Sequence, residues 1–296
     1  MSVATAPVET ATPLTRKPPP AVRRRRFLLW VANHALLIAM VVLFLAPFLF
    51  ITLTALMTHD QALSANLWPQ PFQWANFPRV LTDSPLWRWV GNTMVYATLG
   101  TLGVLLSGIP VAYAFSKLKW RGRDGVFLLV LITLMLPPQV SVVALYIMWA
   151  KLGLVGSLWP LIIPGWLGDA FSIFLLRQFF LTIPDEYLDA ARVDGCSELR
   201  ILTTVVVRLA RPGIAAVAIF SVVYAFNDYF LPLLYVGENP NSWVLSIGLA
   251  NFRSVHQVQW NLTMAATLLV MAPIIVVFFL AQKTFVEGVT LTGVKG

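Results

Sequence analysis

The stretch that decides how this chain is organised runs from residue 183 to residue 195 and reads IPDEYLDAARVDG. It opens a segment, residues 184–211, that holds nine charged residues, although the 296-residue chain has only 21 basic and 13 acidic residues. Pro184 suits a first helical turn, and Asp185 and Glu186 favour the positive end of a helix dipole. Gly195 can supply the left-handed backbone that ends a helix. The stretch therefore predicts a short helix that begins near Pro184 and ends near Gly195.

A second short helix is predicted directly after this glycine. Ser197 can cap its first turn. Apolar residues then recur at helical spacing, which predicts one apolar face. These residues are Leu199, Leu202, Val206 and Leu209. The 184–211 segment is thus predicted to be two helices with a polar and an apolar side, a pattern that a connection lying along lipid headgroups would share.

The rest of the chain is too apolar for a soluble protein. Hydrophobic residues make up 58% and charged residues 11% of it, whereas soluble domains have about 25% charged residues. Apolar runs of the roughly 20 residues needed to cross a bilayer predict an all-α membrane protein with six transmembrane helices. Two of the six are each interrupted by one acid, Asp169 or Asp228. The predicted spans are Phe27–Met57, Trp89–Ser116, Val126–Ala150, 155–181, 213–236 and Ser254–Gln282.

Basic residues predict the orientation, because Lys and Arg are retained on the cytoplasmic side. Placing both termini in the cytoplasm puts 17 of the 21 Lys and Arg residues on that side. This topology explains the net charge of +8 and makes nucleic acid an improbable partner. The single cysteine and three histidines argue against a disulfide and a metal site. The protein is expected in the cell's inner membrane as a multi-pass protein.

Three regions are predicted along the chain. Residues 1–26 form a basic, disordered cytoplasmic N-terminus, residues 27–285 form the six-helix transmembrane domain that contains the 184–211 segment, and residues 286–296 form a cytoplasmic tail.

The 183–195 stretch resembles the Glu-Ala-Ala loop of permease subunits in ATP-binding-cassette (ABC) importers, above all those of the carbohydrate branch. Other pieces of the chain are similar to the maltose-type second permease subunit. These pieces are Asn92-Thr93, Ala112-Tyr113-Ala114, 136–140 (LPPQV), 226–232 (FNDYFLP), 285–288 (FVEG) and 293–296 (GVKG). Two departures stand out: Asp189 replaces the leading Glu, and Arg208 stands where the motif usually has a Pro, so that Pro212 is expected to make the break instead.

The resemblance implies a type I ABC importer permease fold and several partners. They are a pair of ATPase subunits, a second homologous permease subunit and an extracytoplasmic solute-binding protein. The chain has no Gly-rich phosphate loop, so ATP and Mg²⁺ are expected on the ATPase, and the chain itself is expected not to be an enzyme. The resemblance also implies that six residues contact the ATPase: Asp189, Ala190, Ala191, Arg192, Asp194 and Gly195. In this scheme Asp189 pairs with a basic residue of the ATPase, the two alanines pack in its groove, and the tail senses its nucleotide state unless it is a frayed terminus.

Polar residues inside a membrane are costly and are therefore candidates for the solute pathway. The candidates are Tyr224, Asn227, Asp228 and Phe230, a mixture of hydrogen-bonding and aromatic groups that suits a sugar. The alternative is that Asn227 and Asp228 only bond helices together. Asp169, which follows two glycines, is expected near the outer interface and receives no role, whereas Pro137-Pro138 is expected to kink or unwind its helix.

Two other functions compete with this interpretation. An ion-coupled secondary transporter would need no ATPase, but the chain lacks a convincing inverted repeat. An intramembrane hydrolase would need a nucleophile paired with a suitable base, which the spans do not offer. The resemblance indicates a sugar as solute, an oligosaccharide or glycoside, although permeases for glycerol phosphate and polyols share the same pattern.

Overall fold

The computed structural model describes residues 20–251, 259–272 and 275. The described residues contain helices and turns and no strand. A single 3₁₀ turn, Pro240–Ser242, precedes α14, and a π-helical turn, Leu202–Val206, separates α10 from α11. The helices in chain order are α1 (Pro20–Ala55), α2 (His59–Ala62), α3 (Asn76–Asp83), α4 (Leu86–Ser116), α5 (Arg123–Met135), α6 (Pro138–Lys151), α7 (Trp159–Trp166), α8 (Ala170–Leu181), α9 (Asp185–Val193), α10 (Glu198–Ile201), α11 (Val207–Leu209), α12 (Arg211–Asn227), α13 (Phe230–Val236), α14 (Leu245–Asn251) and α15 (Trp260–Ala272).

The first predicted span is a long apolar helix, as expected. Within α1, the stretch Arg26–Ala55 has 30 residues and a mean hydropathy of 2.9, enough to cross a membrane. The helix begins at Pro20, ahead of the predicted Phe27. Residues 20–26, which belong to the segment predicted to be disordered, are thus part of this helix. Residues 1–19 of that segment lie outside the described part of the chain.

In the remaining described chain, α4 is the helix against which α7, α8 and α12 pack. Gly165 of α7 lies so close to α4 that an added Cβ would stand 2.8 Å from the Gly100 carbonyl oxygen. Two hydrogen bonds hold the same pair of helices: Trp166 Nε1 donates to the Leu99 carbonyl oxygen at 3.0 Å, and Ser107 Oγ donates to the Gly165 carbonyl oxygen at 3.0 Å. The second predicted span therefore corresponds to the central helix of this region.

The third predicted span is not one straight helix. The helices α5 and α6 meet at an angle of 94°, and the break falls at Pro137, as the Pro137-Pro138 pair predicts. Leu136 and Pro137 both have extended backbone, with ψ of 121° and 130°. A residue that precedes proline is driven out of helical conformation, which explains why the helix ends rather than bends.

The fourth and fifth predicted spans are each interrupted at their acid, although Trp159–Leu181 in the fourth remains one stretch of 23 residues without a sharp bend. Gly168 adopts φ +107° and Asp169 begins α8, so the 155–181 span consists of α7 and α8. Asp228 has extended backbone and separates α12 from α13. Asn227 is the last residue of α12 and Asp228 lies in the break, so neither residue stands in the middle of a helix.

The number of spans can be counted only for the described residues. Three helical stretches there are long and apolar enough to cross a membrane: Arg26–Ala55, Leu86–Ser116 and Trp159–Leu181. There are up to five if each of two bent pairs forms one span, α5 with α6 and Glu198–Leu209 with α12, which meet at 81°. The predicted sixth span, Ser254–Gln282, overlaps α15, while much of it and the whole 286–296 tail lie outside the described residues.

Candidate functional site

The first helix of the 184–211 segment has the predicted ends. Pro184 precedes it with extended backbone, and α9 begins at Asp185 with acids in its first turn. After α9, Gly195 adopts the left-handed φ of +79°. The N–H of Cys196 then reaches back to the Ala191 carbonyl oxygen at 3.0 Å, which closes the helix as glycine-terminated helices commonly do.

The second helix begins as predicted and buries part of its predicted apolar face. Ser197 caps it by accepting a hydrogen bond from the Arg200 N–H at 3.4 Å. Leu202 and Val206 of the predicted face are buried, together with Ile201 and Ala210. Leu199 is 71% exposed and Leu209 is 48% exposed, so this chain does not cover the two ends of the face.

Arg192 is the centre of a network that joins the two helices of the segment to α4. Its Nη1 lies 2.8 Å from Asp189 Oδ1, and its Nε lies 2.8 Å from Glu198 Oε1. Tyr113 of α4 donates a hydrogen bond to the other oxygen of Glu198. The hydrogen bonds from Arg192 and then from Tyr113 lower the pKa of Glu198, and the bond to Glu198 is the main cause that raises the pKa of Arg192.

Lys117 attaches the start of α9 to the end of α4. Its side chain is only 4% exposed, and its Nζ donates to the Ile183 carbonyl oxygen and to Asp185 Oδ1, both at 2.6 Å. The hydrogen bond from Lys117 is the main cause that lowers the pKa of Asp185. Sequence reasoning counted Lys117 only as a topology signal and used Tyr113 only for the resemblance. Nothing in their local spacing indicates that they would bond to residues more than 60 positions away.

The structure divides the six predicted ATPase-contact residues into two groups. Ala191 is half-buried and packs against the protein's own core, beside the buried Leu188. The other five are exposed: Asp189, Ala190, Arg192, Asp194 and Gly195. Val193, which the sequence did not single out, is 88% exposed on the same short helix. Single exposed apolar side chains are common on protein surfaces, so Val193 becomes a candidate contact only because it shares the exposed side of α9 with the predicted residues.

Among the four predicted pathway residues, Tyr224 alone lines a cavity between the packed helices of the described chain. This cavity has a volume of about 560 Å³ and lies between α4, α7, α8 and α12. Asn227 is exposed, and its amide donates to the Val223 carbonyl oxygen of its own helix at 2.8 Å. Phe230 is half exposed and stands outside the residues that form the cavity wall.

Asp228 is buried and holds elements together, as the alternative interpretation of this residue expects. Its Oδ2 accepts a hydrogen bond from the Tyr96 hydroxyl at 3.1 Å, and its Oδ1 accepts one from the Leu231 N–H at 3.3 Å. It thus bonds α4 to the break between α12 and α13.

The cavity wall combines aromatic rings with a few polar groups. Asp169 Oδ2 accepts hydrogen bonds from the Ser172 N–H at 2.8 Å and the Ser172 hydroxyl at 2.5 Å. Across the cavity, the Thr101 hydroxyl donates to the Ser221 hydroxyl at 3.0 Å. The rings on the wall belong to Tyr96, Phe171, Phe220 and Tyr224. Within the described residues, no group of three or more His, Cys, Asp or Glu side chains is placed to hold a metal ion.

Long apolar helices that pack around a polar and aromatic cavity, together with a charged pair of short helices, define the class of helical membrane permeases. The chain belongs to the family described as "binding-protein-dependent transport system inner membrane component", whose sequence profile matches residues 103–290. Membership places the protein in the inner membrane, as the sequence predicts.

Relatives and solved structures agree with this assignment. Over 222 residues, 75% of this chain and 79% of the relative, the chain is 33% identical to the arabinooligosaccharides transport system permease protein AraQ of Halalkalibacterium halodurans. It is 32% identical to the sn-glycerol-3-phosphate transport system permease protein UgpE of Yersinia pestis over 268 residues, 86% of this chain and 94% of the relative. A chain in the crystal structure of a bacterial ABC transporter involved in the import of the acidic polysaccharide alginate has the same fold. Its TM-score is 0.77 at 24% identity, and the match covers 92% of this chain and 100% of that chain.

Proposed function

We propose that this chain is the permease subunit of an ATP-driven, binding-protein-dependent importer for sugars of the oligosaccharide or glycoside class. Its membership of the transport family and its identity to an arabinooligosaccharide permease support this function. The main structural support for the proposal is the 184–211 segment, in which one short helix is exposed and is attached to α4 through buried and ionic contacts.

The exposed side of α9 is the proposed surface for the ATPase. Val193 and Ala190 offer apolar contact, and Asp189 offers a carboxylate that the proposal assigns to a basic residue of the ATPase. In the free chain this carboxylate already pairs with Arg192, so docking would share or exchange that bond. Ala191 and Leu188 support the helix from its inner side rather than entering the ATPase groove.

The anchoring contacts give the segment a route to the membrane helices. Movement of α9 is resisted at its start by Lys117 and at its end by Arg192, Glu198 and Tyr113. Lys117 follows directly after α4, and Tyr113 belongs to it; α4 also forms a wall of the cavity. A push from a closing ATPase dimer would therefore reach the cavity wall through a stiff set of hydrogen bonds.

The finer arrangement in the proposal is that of a type I importer. It has six transmembrane helices with both termini in the cytoplasm, and this chain forms half of the pathway beside a second homologous permease subunit. A solute-binding protein delivers the sugar from outside, and the ATPase pair binds ATP and Mg²⁺. This chain would then carry no catalytic residue of its own.

The substrate has a second candidate, because identity to the glycerol-phosphate permease covers more of the chain than identity to the arabinooligosaccharide permease. Glycerol phosphate or a polyol would use the same coupling. An ion-coupled secondary transporter would not, since it would need no contact at α9.

Reconstituted transport separates these possibilities. Proteoliposomes that hold this chain, its second permease subunit, the ATPase and the binding protein should accumulate radiolabelled sugar only with ATP on the ATPase side. Ionophores that collapse ion gradients should leave the rate unchanged. Accumulation without the ATPase, or loss of uptake with ionophore alone, would favour the secondary transporter.

Two substitutions on α9 test the docking surface. Asp189→Lys places a cation against Arg192 and the expected basic partner, and Val193→Asp places a charge at the most exposed apolar position. Burial of an unpaired charge at an interface costs several kcal/mol, so both variants should lose ATPase co-purification and uptake while inserting normally. Val193→Ala is the matched control, and it should retain most of both activities. Normal uptake by Asp189→Lys and Val193→Asp would remove α9 from the coupling role.

A further inference from the structure

Asp169 is a carboxylate inside an apolar stretch, Trp159–Leu181, that is long enough to cross a membrane. It caps the start of α8, which ends just before the charged 184–211 segment. Its position near the outer interface stays a prediction. Acids inside membrane-spanning stretches are costly and are candidates for functional sites by default.

The helix cap uses only one of the two oxygens of this carboxylate. Its hydrogen bonds to Ser172 both end on Oδ2. In the described part of the chain, Oδ1 accepts no hydrogen bond, and Asp169 lines the cavity with Tyr224 and Ser221. A carboxylate oxygen, hydroxyl groups and aromatic rings on one wall offer what a sugar needs, because sugar hydroxyls require polar partners and the apolar ring faces stack on aromatics.

The charge of the cavity discriminates between solutes. Asp169 supplies its negative charge, and no Lys, Arg or His is found among the described residues that line it. A phosphate or carboxylate group would approach this charge without a cation from this chain to offset it, which is unfavourable. A neutral hydroxylated ring meets no such penalty.

We infer that this cavity is a solute-binding site for a neutral sugar ring, in which the Asp169 carboxylate accepts sugar hydroxyls and excludes phosphorylated and acidic solutes. The inference rests on the proposed function and narrows its substrate class. Among the two substrates suggested by relatives, it selects an arabinooligosaccharide type of solute over glycerol phosphate.

Gly100 offers a way to fill the cavity without disturbing its walls. It lines the cavity, and a Cβ added there would meet only the Tyr96 ring, at 3.8 Å. Gly100→Ala therefore adds one methyl group at ordinary contact distance, whereas Gly100→Leu occupies the space that a sugar would take. The two variants form a matched pair. Asp169→Ser is a separate probe, because serine also caps helices well but removes the carboxylate.

The experiment uses the assembled complex of this chain with its second permease subunit and ATPase in lipid nanodiscs, without binding protein. Saturation-transfer NMR would test a panel of neutral disaccharides (arabinobiose, maltose, cellobiose) against sn-glycerol 3-phosphate and digalacturonate. At least one neutral sugar should bind to the wild type and Gly100→Ala, and the two anions should not. Gly100→Leu should lose the signal. Asp169→Ser should raise the dissociation constant about tenfold, which corresponds to the free energy of one hydrogen bond to a charged group.

Several outcomes would overturn the inference: no neutral sugar binds to the wild type, either anion binds as well as the sugars, or Gly100→Leu binds like Gly100→Ala. Asp169→Ser provides a second test if Gly100→Leu fails to assemble. Unchanged sugar affinity in Asp169→Ser would exclude the carboxylate from the site. The proposed function fails by a different observation, the absence of ATP-driven uptake by the complete wild-type system. Uptake that persists when the cavity is filled would contradict this inference alone.

Discussion

The 184–211 segment and the helices around the cavity both place acids among apolar residues, but their acids have different partners. In the segment, Asp185, Asp189 and Glu198 pair with the cationic side chains of Lys117 and Arg192. In the helices, Asp169 and Asp228 accept hydrogen bonds from backbone N–H groups at the start of a helical turn. Water can replace a lost partner of an exposed acid, whereas hydrocarbon cannot.

This difference shows what an isolated acid in an apolar run indicates. Each acid stands where a helix stops and another begins, and it satisfies a backbone group that would otherwise lack a partner. Such an acid can also bind a solute only if one of its carboxylate oxygens accepts no hydrogen bond within the protein. Asp169 has such an oxygen in the described chain, while both oxygens of Asp228 are already bonded.

The largest effect is expected where the segment rests on the membrane helices. Leu188 is 1% exposed, in a cluster with Leu176 and Phe180. Leu188→Ala should cost about 3 kcal/mol, as buried Leu→Ala changes usually do, and should free α9 from its support. Hydrogen exchange of the α9 amides, measured on the assembled complex, should accelerate strongly.

Leu199→Ala is the control for that change, since its side chain is 71% exposed. The sequence pattern assigns Leu199 to the apolar face, and because the structure leaves this side chain exposed we expect an effect within about 0.5 kcal/mol. A loss of protection in Leu199→Ala equal to that in Leu188→Ala would show that Leu199 is buried and that the segment does not pack as described.

How far the sequence predicts this molecule depends on whether the signal is local. The ends of α9, the Ser197 cap and the Pro137 break follow from residues within a turn of each feature, and all are confirmed. The second helix of the segment is different, because it contains a π-helical turn that no short motif announces, and only Leu202 and Val206 of its predicted apolar face are buried.

Long-range partners escape prediction for a related reason. The cavity brings together side chains from residues 96 to 231, and Lys117 finds Asp185 across 68 positions. Hydrophobic runs predict that spans exist, but they contain no information about which faces meet. The bonding of Asp228 to Tyr96 is consequently visible only once the helices are packed.

A smaller effect is expected at Asp228, and the substitution of its neighbour Asn227 serves as the comparison. Asp228→Ala removes a cap and leaves the Tyr96 hydroxyl without its acceptor, which should destabilise the permease by about 1–2 kcal/mol. Asn227→Ala should have little effect, because Asn227 is exposed and bonds only to its own helix. Thermal unfolding of the two variants in nanodiscs measures the difference. Equal destabilisation, or loss of sugar binding in Asn227→Ala with normal stability, would restore Asn227 as a pathway residue.

The smallest effect concerns pH, and it arises in the water-exposed region. Lys117 lowers the pKa of Asp185, so the ionised carboxylate is favoured in the folded protein. A lowered carboxyl pKa stabilises the fold fully above the unfolded value, about 3.9 for Asp, and this contribution is lost as the pH falls below that value. Asp185 is 74% exposed, so solvent screening keeps the contribution small.

The measurement compares wild type with Asp185→Asn at each pH, so that the intrinsic pH dependence of amide exchange cancels. Near neutral pH the wild type should protect the first turn of α9 better than Asp185→Asn does, and the two should converge as the pH falls below about 3.9. Asp189→Asn is the matched variant at the opposite end of the helix, where Arg192 keeps Glu198 as a second partner, and it should change protection of the first turn less. If the wild type shows no advantage near neutral pH, the Lys117 bond to the Ile183 carbonyl oxygen, which both proteins share and which does not titrate, holds α9 without help from the carboxylate. An advantage that persists at acid pH would mean that it does not come from the ionised carboxylate.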